Sequence, residues 1–381
     1  MVYMLIAGEA SGDLHASHLM ASIRRHDPKA QFVFLGGDLM AAQAGREPVV
    51  HYRDMAYMGF SEVIRNIGSI RRNLKLARKV LEKVHPDCLI LIDYPSFNLK
   101  VAATAHNAGI PVYYYISPKV WAWKEWRVKT IKKLVDKMFV IFPFEVEWYR
   151  SRHGMDVTYV GNPSIAEIDA AIAAAPDADE FSSRHKLRQR PIIALLPGSR
   201  LGEIRNNLPV MLKAAAAFVQ YQAVVAGAPG IEPEFYAQFG NFPVVTGDTM
   251  NLLAVCRAAL VTSGTATLEA ALAGVPQVAC YRANGSELSY KIMQRLLSVD
   301  FVTLPNLILG REAIAEKLLH QCTPVAVAEA LSPLTALTSK NRQKMLDDYK
   351  EMRAILGDGD AAENTARLIV DDLHARHARK G

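Results

Sequence analysis

VYMLIAGEASGDLHASHLMASIRR, residues 2–25, sets the fold. Val2–Ala7 is an unbroken apolar run, the pattern of a strand covered on both faces rather than half-exposed. It stops at Gly8-Glu9-Ala10-Ser11-Gly12-Asp13, a turn of small and acidic residues, and a helix is predicted over His15–Arg25. Strand, small-residue turn and helix make the opening of a parallel α/β unit. No basic segment precedes the apolar run and no cleavage site follows it, so it reads as a strand and not as a signal peptide.

The unit recurs along the chain. Apolar strands are predicted at Gln31–Leu35, Cys88–Ile92, Val112–Ile116, Lys137–Ile141 and Thr158–Val160, with a long helix over Ser61–Val84. The cycle restarts with strands at Pro191–Leu196, Ala223–Ala226, Val244–Val245, Ala258–Val261 and Gln277–Tyr281, and with helices at Leu208–Gln220 and Ala266–Ala273. Two successive sets imply an α/β protein of two doubly wound domains, with a hinge near Gly161–Ser164. Residues 340–381 are expected to be helices that cross back to the first domain. In such sheets ligands bind beyond the carboxyl ends of the strands, and the two sets of ends are expected to face a central cleft.

Composition narrows the function. The 381 residues carry 44 Lys+Arg against 38 Asp+Glu. Residues 1–163 hold 22 Lys/Arg and 15 Asp/Glu, while the remainder holds 22 and 23, so the basicity lies in the first part. That part is expected to meet something anionic. The most apolar long window, Ala214–Ile231, contains Gln, Gly and Pro, so no membrane span is expected. Cys88, Cys256, Cys280 and Cys322 lack paired ligand spacing and read as buried thiols of a reducing compartment. No repeat, zinc site or disulfide framework is expected.

The strand-end motifs each admit a plain and a chemical reading. Gly8–Asp13 is either a tight turn capped by Ser11 or Asp13, or a place where a ligand meets free helix N–H groups. It lacks the dinucleotide glycine spacing. Asp93, before Tyr94-Pro95-Ser96-Phe97-Asn98, is either a cap or a partly desolvated general base. Ser117-Pro118-Lys119-Val120-Trp121-Ala122-Trp123 places two tryptophans to wall a pocket or to pack beneath one. Seven cations from Lys119 to Lys137 follow, which alone read as a solvated helix face. Arg200, at the tip of Pro197-Gly198-Ser199-Arg200, is a surface arginine or a bidentate phosphate ligand. Ser263-Gly264-Thr265 at a helix start can hold a diphosphate. Glu269, one turn further on, can grip ribose hydroxyls or simply face solvent.

Residues 55–79 mix apolar side chains, among them Met58, Val63, Ile64, Ile67 and Ile70, with cations that include Arg71 and Arg72. A core-facing helix with a basic outer face explains the stripe. The dense apolar start fits a segment lying on anionic lipid. The single Asp-x-Asp, Asp358-Gly359-Asp360, falls in a late Gly-rich linker and is discounted as a metal-nucleotide site.

Six motifs in order, GEASGD (8–13), IDYPSFN (92–98), SPKVWAW (117–123), LLPGSR (195–200), SGTATLEA (263–270) and LPNLILGRE (304–312), together resemble the lipid-A-disaccharide synthase family over nearly the whole chain. The resemblance implies two Rossmann-like domains of the GT-B type facing a central cleft, in a glycosyltransferase of Gram-negative bacteria. It implies an acceptor- and membrane-facing domain at 1–163 and a UDP-sugar domain at 164–339. The family condenses UDP-2,3-diacylglucosamine with 2,3-diacylglucosamine 1-phosphate, inverting the anomeric centre, to a β-1,6-linked disaccharide 1-phosphate and UDP. It works as a peripheral protein on the cytoplasmic side of the inner membrane.

Carried onto these positions, Asp93 is the expected base and Glu9 joins it in the catalytic set. Ser11 shapes the acceptor side. Arg200, Ser263, Gly264 and Thr265 hold the diphosphate and Glu269 the ribose. Asn306 and Arg311 match the segment near the cleft. Gly247, at a strand end, is placed at the uracil edge by position alone. No metal or other cofactor is expected, since the sugar nucleotide is a substrate. Lys119 stands where the family often has a small polar residue. A homodimer stays open.

The rival within the same fold is another UDP-sugar enzyme, such as a UDP-GlcNAc transferase or 2-epimerase. GEASGD and SPKVWAW fit those families poorly. A nucleic-acid binder is disfavoured, because the aromatics adjoin Pro turns instead of interleaving with cations.

Overall fold

The structure, a computed structural model, describes residues 1–55, 67–122, 124–262, 264–282 and 301–379. It divides into two compact units: residues 1–163 with 358–381, and residues 164–357.

Unit 1 is built on β1 (Val2–Ala7), β2 (Gln31–Leu35), β3 (Cys88–Ile92), β4 (Val112–Tyr115), β5 (Lys137–Val140) and β6 (Thr158–Tyr159), in the order β2-β1-β3-β4-β5-β6. Every pair is parallel. Strands β1 and β3 are buried along nearly their whole length, which is why they carry no polar alternation. The chain leaves β1 to one side for β2 and returns to the other for β3. The topological switch point therefore lies between β1 and β3, where ligands bind in open α/β sheets.

Unit 2 repeats the plan with β7 (Ile192–Leu196), β8 (Gln222–Gly227), β9 (Val244–Thr246), β10 (Ala258–Val261), β11 (Gln277–Tyr281) and β12 (Ala315–Leu318), in the order β12-β11-β10-β7-β8-β9. All pairs are again parallel. Its switch point lies between β7 and β10. Strand β12 is absent from the sequence reading. Its residues Ala-Glu-Lys-Leu are all half-buried at a sheet edge, so the apolar run that betrays a central strand is missing.

The carboxyl-terminal helices correct one expectation. Residues 340–381 do not return together. The Lys340–Leu356 helix packs within unit 2, burying Met345, Tyr349 and Met352, and Tyr349 donates to the Val275 carbonyl at 3.2 Å. Only the Ala361–Ala378 helix belongs to unit 1. There Ile369, Val370 and Leu373 join Tyr3, Leu5, Phe34 and Ile90 in one core. Arg25 and His26 pair with Glu363, and Tyr113 donates to Asp372 at 2.6 Å. Asp360 caps this last helix, accepting from Ala362 and Glu363 N–H at 3.0 Å each. A capping role accounts for that half of the Asp-x-Asp pair.

Both chain crossings meet in unit 1. Gly161 has φ +103°, and a Cβ there would overlap the Gly359 carbonyl oxygen. Neither the backbone angle nor the space admits a side chain. Gly161→Ala is expected to destabilise the protein by about 1–3 kcal/mol, the usual cost of overpacking. A fall in Tm in a thermal melt checks it, and an unchanged Tm contradicts the close approach.

No helix among the described residues is long and apolar enough to cross a membrane.

Candidate functional site

In unit 1 three of the motifs leave adjacent strands. Ala7 pairs with Ile92 and Ile92 with Tyr115, so the turns at Gly8, Asp93 and Ile116 stand side by side at the carboxyl edge. The helix after β1 starts at Ala10, earlier than the sequence predicts, with Glu9 as its N-cap residue. Gly8 is required by packing, because a Cβ there would fall inside the Tyr94 ring.

Asp93 and Tyr94 take φ +40° and +47°, two successive non-glycine residues in the left-handed region. Such backbone costs of order 1–3 kcal/mol per residue and persists only where its surroundings enforce it. Here Asn98, fully buried, donates to the carbonyls of Ile92 (3.2 Å) and Asp93 (2.7 Å). Tyr114 donates to the Asp93 carbonyl at 2.5 Å, and Tyr94 to the Met55 carbonyl at 2.7 Å. The backbone of Asp93 is thus gripped while its side chain stays half-buried.

Burial, and next the Glu9 carboxylate, push the Asp93 carboxyl up to about 6, against the opposing pull of Lys119 and the Tyr94 N–H. A carboxylate with that proton affinity is ionised near neutrality yet more basic than an ordinary aspartate, as a general base requires. Ser11 is exposed and donates to Glu9 at 2.7 Å. The third acid of the motif has another task. Asp13 is 3% exposed and accepts from the N–H groups of Gly37 (2.7 Å), Leu39 (3.1 Å) and Met40 (3.2 Å), capping the neighbouring Asp38–Ala44 helix.

Trp121, 4% exposed, packs beneath the surface and meets Phe144 edge-on at 5.1 Å. Trp123 lies outside the described residues. The Trp121 indole donates at 3.1 Å to Glu145, a fully enclosed acid absent from the sequence reading. Burial pushes Glu145 up to about 8. Pro143 at the helix start with Glu145 two residues on was the available signal. Of the cation run, Lys132 donates to the His153 and Gly154 carbonyls and Lys137 pairs with Asp372. Arg127 donates to Ser96 at 2.9 Å.

The basic helix is described from Ile67 to Val84. Leu74, Ala77 and Leu81 are buried and Ile70 is half-buried, while Arg71, Arg72, Lys75, Arg78 and Lys79 are exposed. Leu76 is exposed among them. Met58, Val63 and Ile64, and the side chain of Ile67, lie outside the described residues.

In unit 2 the Pro197–Arg200 turn leaves β7 and the Gly264–Thr265 turn leaves β10, neighbours at the switch point. Gly198 has φ +117°, over the Glu203 side chain, which accepts from Ser199 N–H at 3.1 Å. Arg200 is exposed, 3.5 Å from Glu203, at the start of the Leu201–Ala215 helix. Gly264 has φ +120°, and Thr265 opens the Thr265–Leu272 helix. Ser263 lies outside the described residues. Glu269 is half-buried, raised first by burial and then by Glu167.

The sequence reading missed Asn207. Fully buried, it donates to the Pro197 carbonyl and to the Thr262 hydroxyl, both at 3.1 Å, and accepts from Arg282 N–H at 2.7 Å. One amide therefore ties the ends of β7, β10 and β11. The signal was Asn206-Asn207 in a helix interior, where asparagine is a poor helix former.

Of the other expected residues, Gly247 stands apart from the β7 and β10 turns, and Asn306 and Arg311 are engaged by the chain itself. Gly247, exposed with φ +73°, directly follows β9, which is two strands from β7. Asn306 is fully enclosed: it donates to Ile314 O and Glu316, and accepts from the Ala313 and Ile314 N–H groups, all within 2.9 Å. Its bonding capacity is spent on the chain, so it holds the loop into β12 and not an acceptor sugar. Arg311 is tied to Asp348 at 2.8 Å and Glu351 at 2.5 Å on the Lys340–Leu356 helix. Among the described residues no three His, Cys, Asp or Glu side chains are grouped to hold a metal ion.

A family profile described as lipid-A-disaccharide synthetase matches residues 3–369. The lipid-A-disaccharide synthase of Myxococcus xanthus is 39% identical, with 97% of each chain covered. Among solved structures, a UDP-GlcNAc 2-epimerase from Neisseria meningitidis superposes with a TM-score of 0.65 at 13% identity, covering 98% of this chain and 100% of that one. A calicheamicin glycosyltransferase superposes with a TM-score of 0.58 at 15% identity, covering 99% of each. These two likenesses describe the fold.

Proposed function

The chain belongs to the lipid-A-disaccharide synthetase family, and from that premise we propose how its two units divide the transfer of one acylated sugar to another. It is a hexosyltransferase of lipid A biosynthesis on a two-domain, Rossmann-like GT-B fold. The donor is UDP-2,3-diacylglucosamine and the acceptor 2,3-diacylglucosamine 1-phosphate. Asp93 takes the proton of the acceptor 6-hydroxyl as that oxygen attacks the donor's anomeric carbon. The bond from that carbon to the diphosphate breaks on the opposite face, inverting the centre to a β-1,6 linkage. UDP leaves with the electron pair. Arg200, with Gly264 and Thr265 at a helix start, stabilises the charge that develops on the leaving diphosphate. The Ser263 hydroxyl, next to Gly264 in sequence, is assigned to the same diphosphate, Glu269 to the ribose, and Glu9 and Ser11 to the acceptor side.

The observation that carries this reading is the gripped, left-handed Asp93 at the β1/β3 switch point, with its carboxyl raised to about 6. Donor choice tests it. Release of UDP from UDP-2,3-diacylglucosamine only when the acceptor is present supports the reading. Turnover of unacylated UDP-GlcNAc alone contradicts it.

The exposed cations of the Ile67–Val84 helix support docking on an anionic membrane surface, each cation near such a surface contributing ~1 kcal/mol. Arg71→Gln with Arg72→Gln is expected to reduce sedimentation with phosphatidylglycerol vesicles by about tenfold or more, without changing the thermal melt. Unchanged sedimentation removes this helix from the membrane role.

A further inference from the structure

The amino edge of the unit 2 sheet holds a group of cations that sugar transfer does not use. Pro191 leads into β7 and Cys256-Arg257 leads into β10, so this edge lies at the far ends of the strands that carry the Arg200 and Gly264 turns. A cavity of about 480 Å³ opens there, walled by Arg190, Arg257 and Arg342, by Pro191 and Val255, and by Ser182. That volume is in the range of small-molecule sites.

Among the described residues none of the three arginines has a carboxylate partner. Arg342 donates through one nitrogen to the carbonyls of Arg257 (2.8 Å) and Leu334 (2.9 Å), and Arg190 to the Val219 carbonyl (3.4 Å). Carbonyl bonds orient a guanidinium without cancelling its charge. Burial, and then Arg257, lower the proton affinity of Arg342, as expected of cations held together without a counterion. Asp179 is the one acid on the wall, and it is exposed. Ser182 is 3% exposed, and its hydroxyl makes no hydrogen bond to a described residue.

We propose that this cavity is a second anion site, which takes a phosphorylated small molecule on Arg190, Arg257 and Arg342. Three planar forks match phosphate oxygens pairwise. The Ser182 hydroxyl adds a donor, and Pro191 and Val255 offer an apolar wall to the rest of the ligand. The site does not depend on the reading of the transfer reaction. Strands β7 and β10 join it directly to the nucleotide turns.

Calorimetry with inorganic pyrophosphate on the full chain, saturated with UDP to fill the nucleotide turn, tests the proposal. The expected result is a retained pyrophosphate isotherm that Arg257→Gln weakens about tenfold or more, the scale of a lost charged hydrogen bond, with UDP affinity unchanged. Arg190→Gln, at an exposed side chain that leaves the core intact, is expected to act in the same direction. Loss of pyrophosphate binding on saturation with UDP would overturn the proposal. So would an isotherm that neither variant changes, or displacement of pyrophosphate by phosphatidylglycerol vesicles.

Discussion

Replacing Asp93 by asparagine is expected to cut kcat by about 10²–10⁴-fold, the usual contribution of a positioned base, while UDP affinity stays unchanged. The amide keeps the shape of the side chain. It also leaves the backbone bonds from Asn98 and Tyr114 in place, since these go to the Asp93 carbonyl and not to its carboxyl. Only proton acceptance is removed. The rate of the unaltered enzyme should fall on the acid side with a midpoint near 6, because the base acts in its ionised form. Glu9→Gln removes the neighbouring carboxylate that holds this proton on, so it should move the acid limb to lower pH. Lys119→Met removes the opposing cation and should move the limb to higher pH. Near-normal turnover in Asp93→Asn, or a limb that ignores both neighbours, would show that Asp93 is a structural turn residue.

The second large effect concerns Arg200. Arg200→Ala is expected to weaken UDP binding by about 10–100-fold, since a hydrogen bond to a charged group is worth ~1.5–3 kcal/mol. Its local partner is Glu203 at 3.5 Å, a loose and solvent-screened pair. The guanidinium is therefore available to a phosphate at little cost. Loss of kcat should accompany loss of affinity, because the diphosphate gains charge as it leaves. Calorimetry with UDP measures the first effect and steady-state kinetics the second. An unchanged affinity would move the phosphate role to the Gly264–Thr265 turn alone.

Sequence made the central strands and their turns legible for a physical reason. Strands buried on both faces must be apolar throughout, so Val2–Ala7, Cys88–Ile92 and Ala258–Val261 stand out with their bounds nearly intact. The turns stand out because glycine is needed where the chain bends left-handed, as at Gly198 and Gly264. What stayed hidden depends on contacts between distant segments. Asn207 ties three strand ends through one amide, and nothing in its helix announces the partners. Glu145 is a buried acid whose ring donor lies 24 residues away. Asn306 sits in a motif that marks the family, and only its full set of internal bonds shows that it serves the loop. The split of the last two helices follows from which core each one completes, Tyr349 in one unit and Ile369 in the other.

The central claim is that this chain makes a disaccharide by inverting transfer, with Asp93 as the base. Incubating it with defined UDP-2,3-diacylglucosamine and 2,3-diacylglucosamine 1-phosphate, and analysing the lipid product by mass spectrometry and proton NMR, tests that claim most directly. The expected product is a tetraacyl disaccharide 1-phosphate with a β anomeric coupling, formed by the unaltered chain and lost in Asp93→Asn. An α-linked disaccharide, or an unchanged yield from Asp93→Asn, would contradict it.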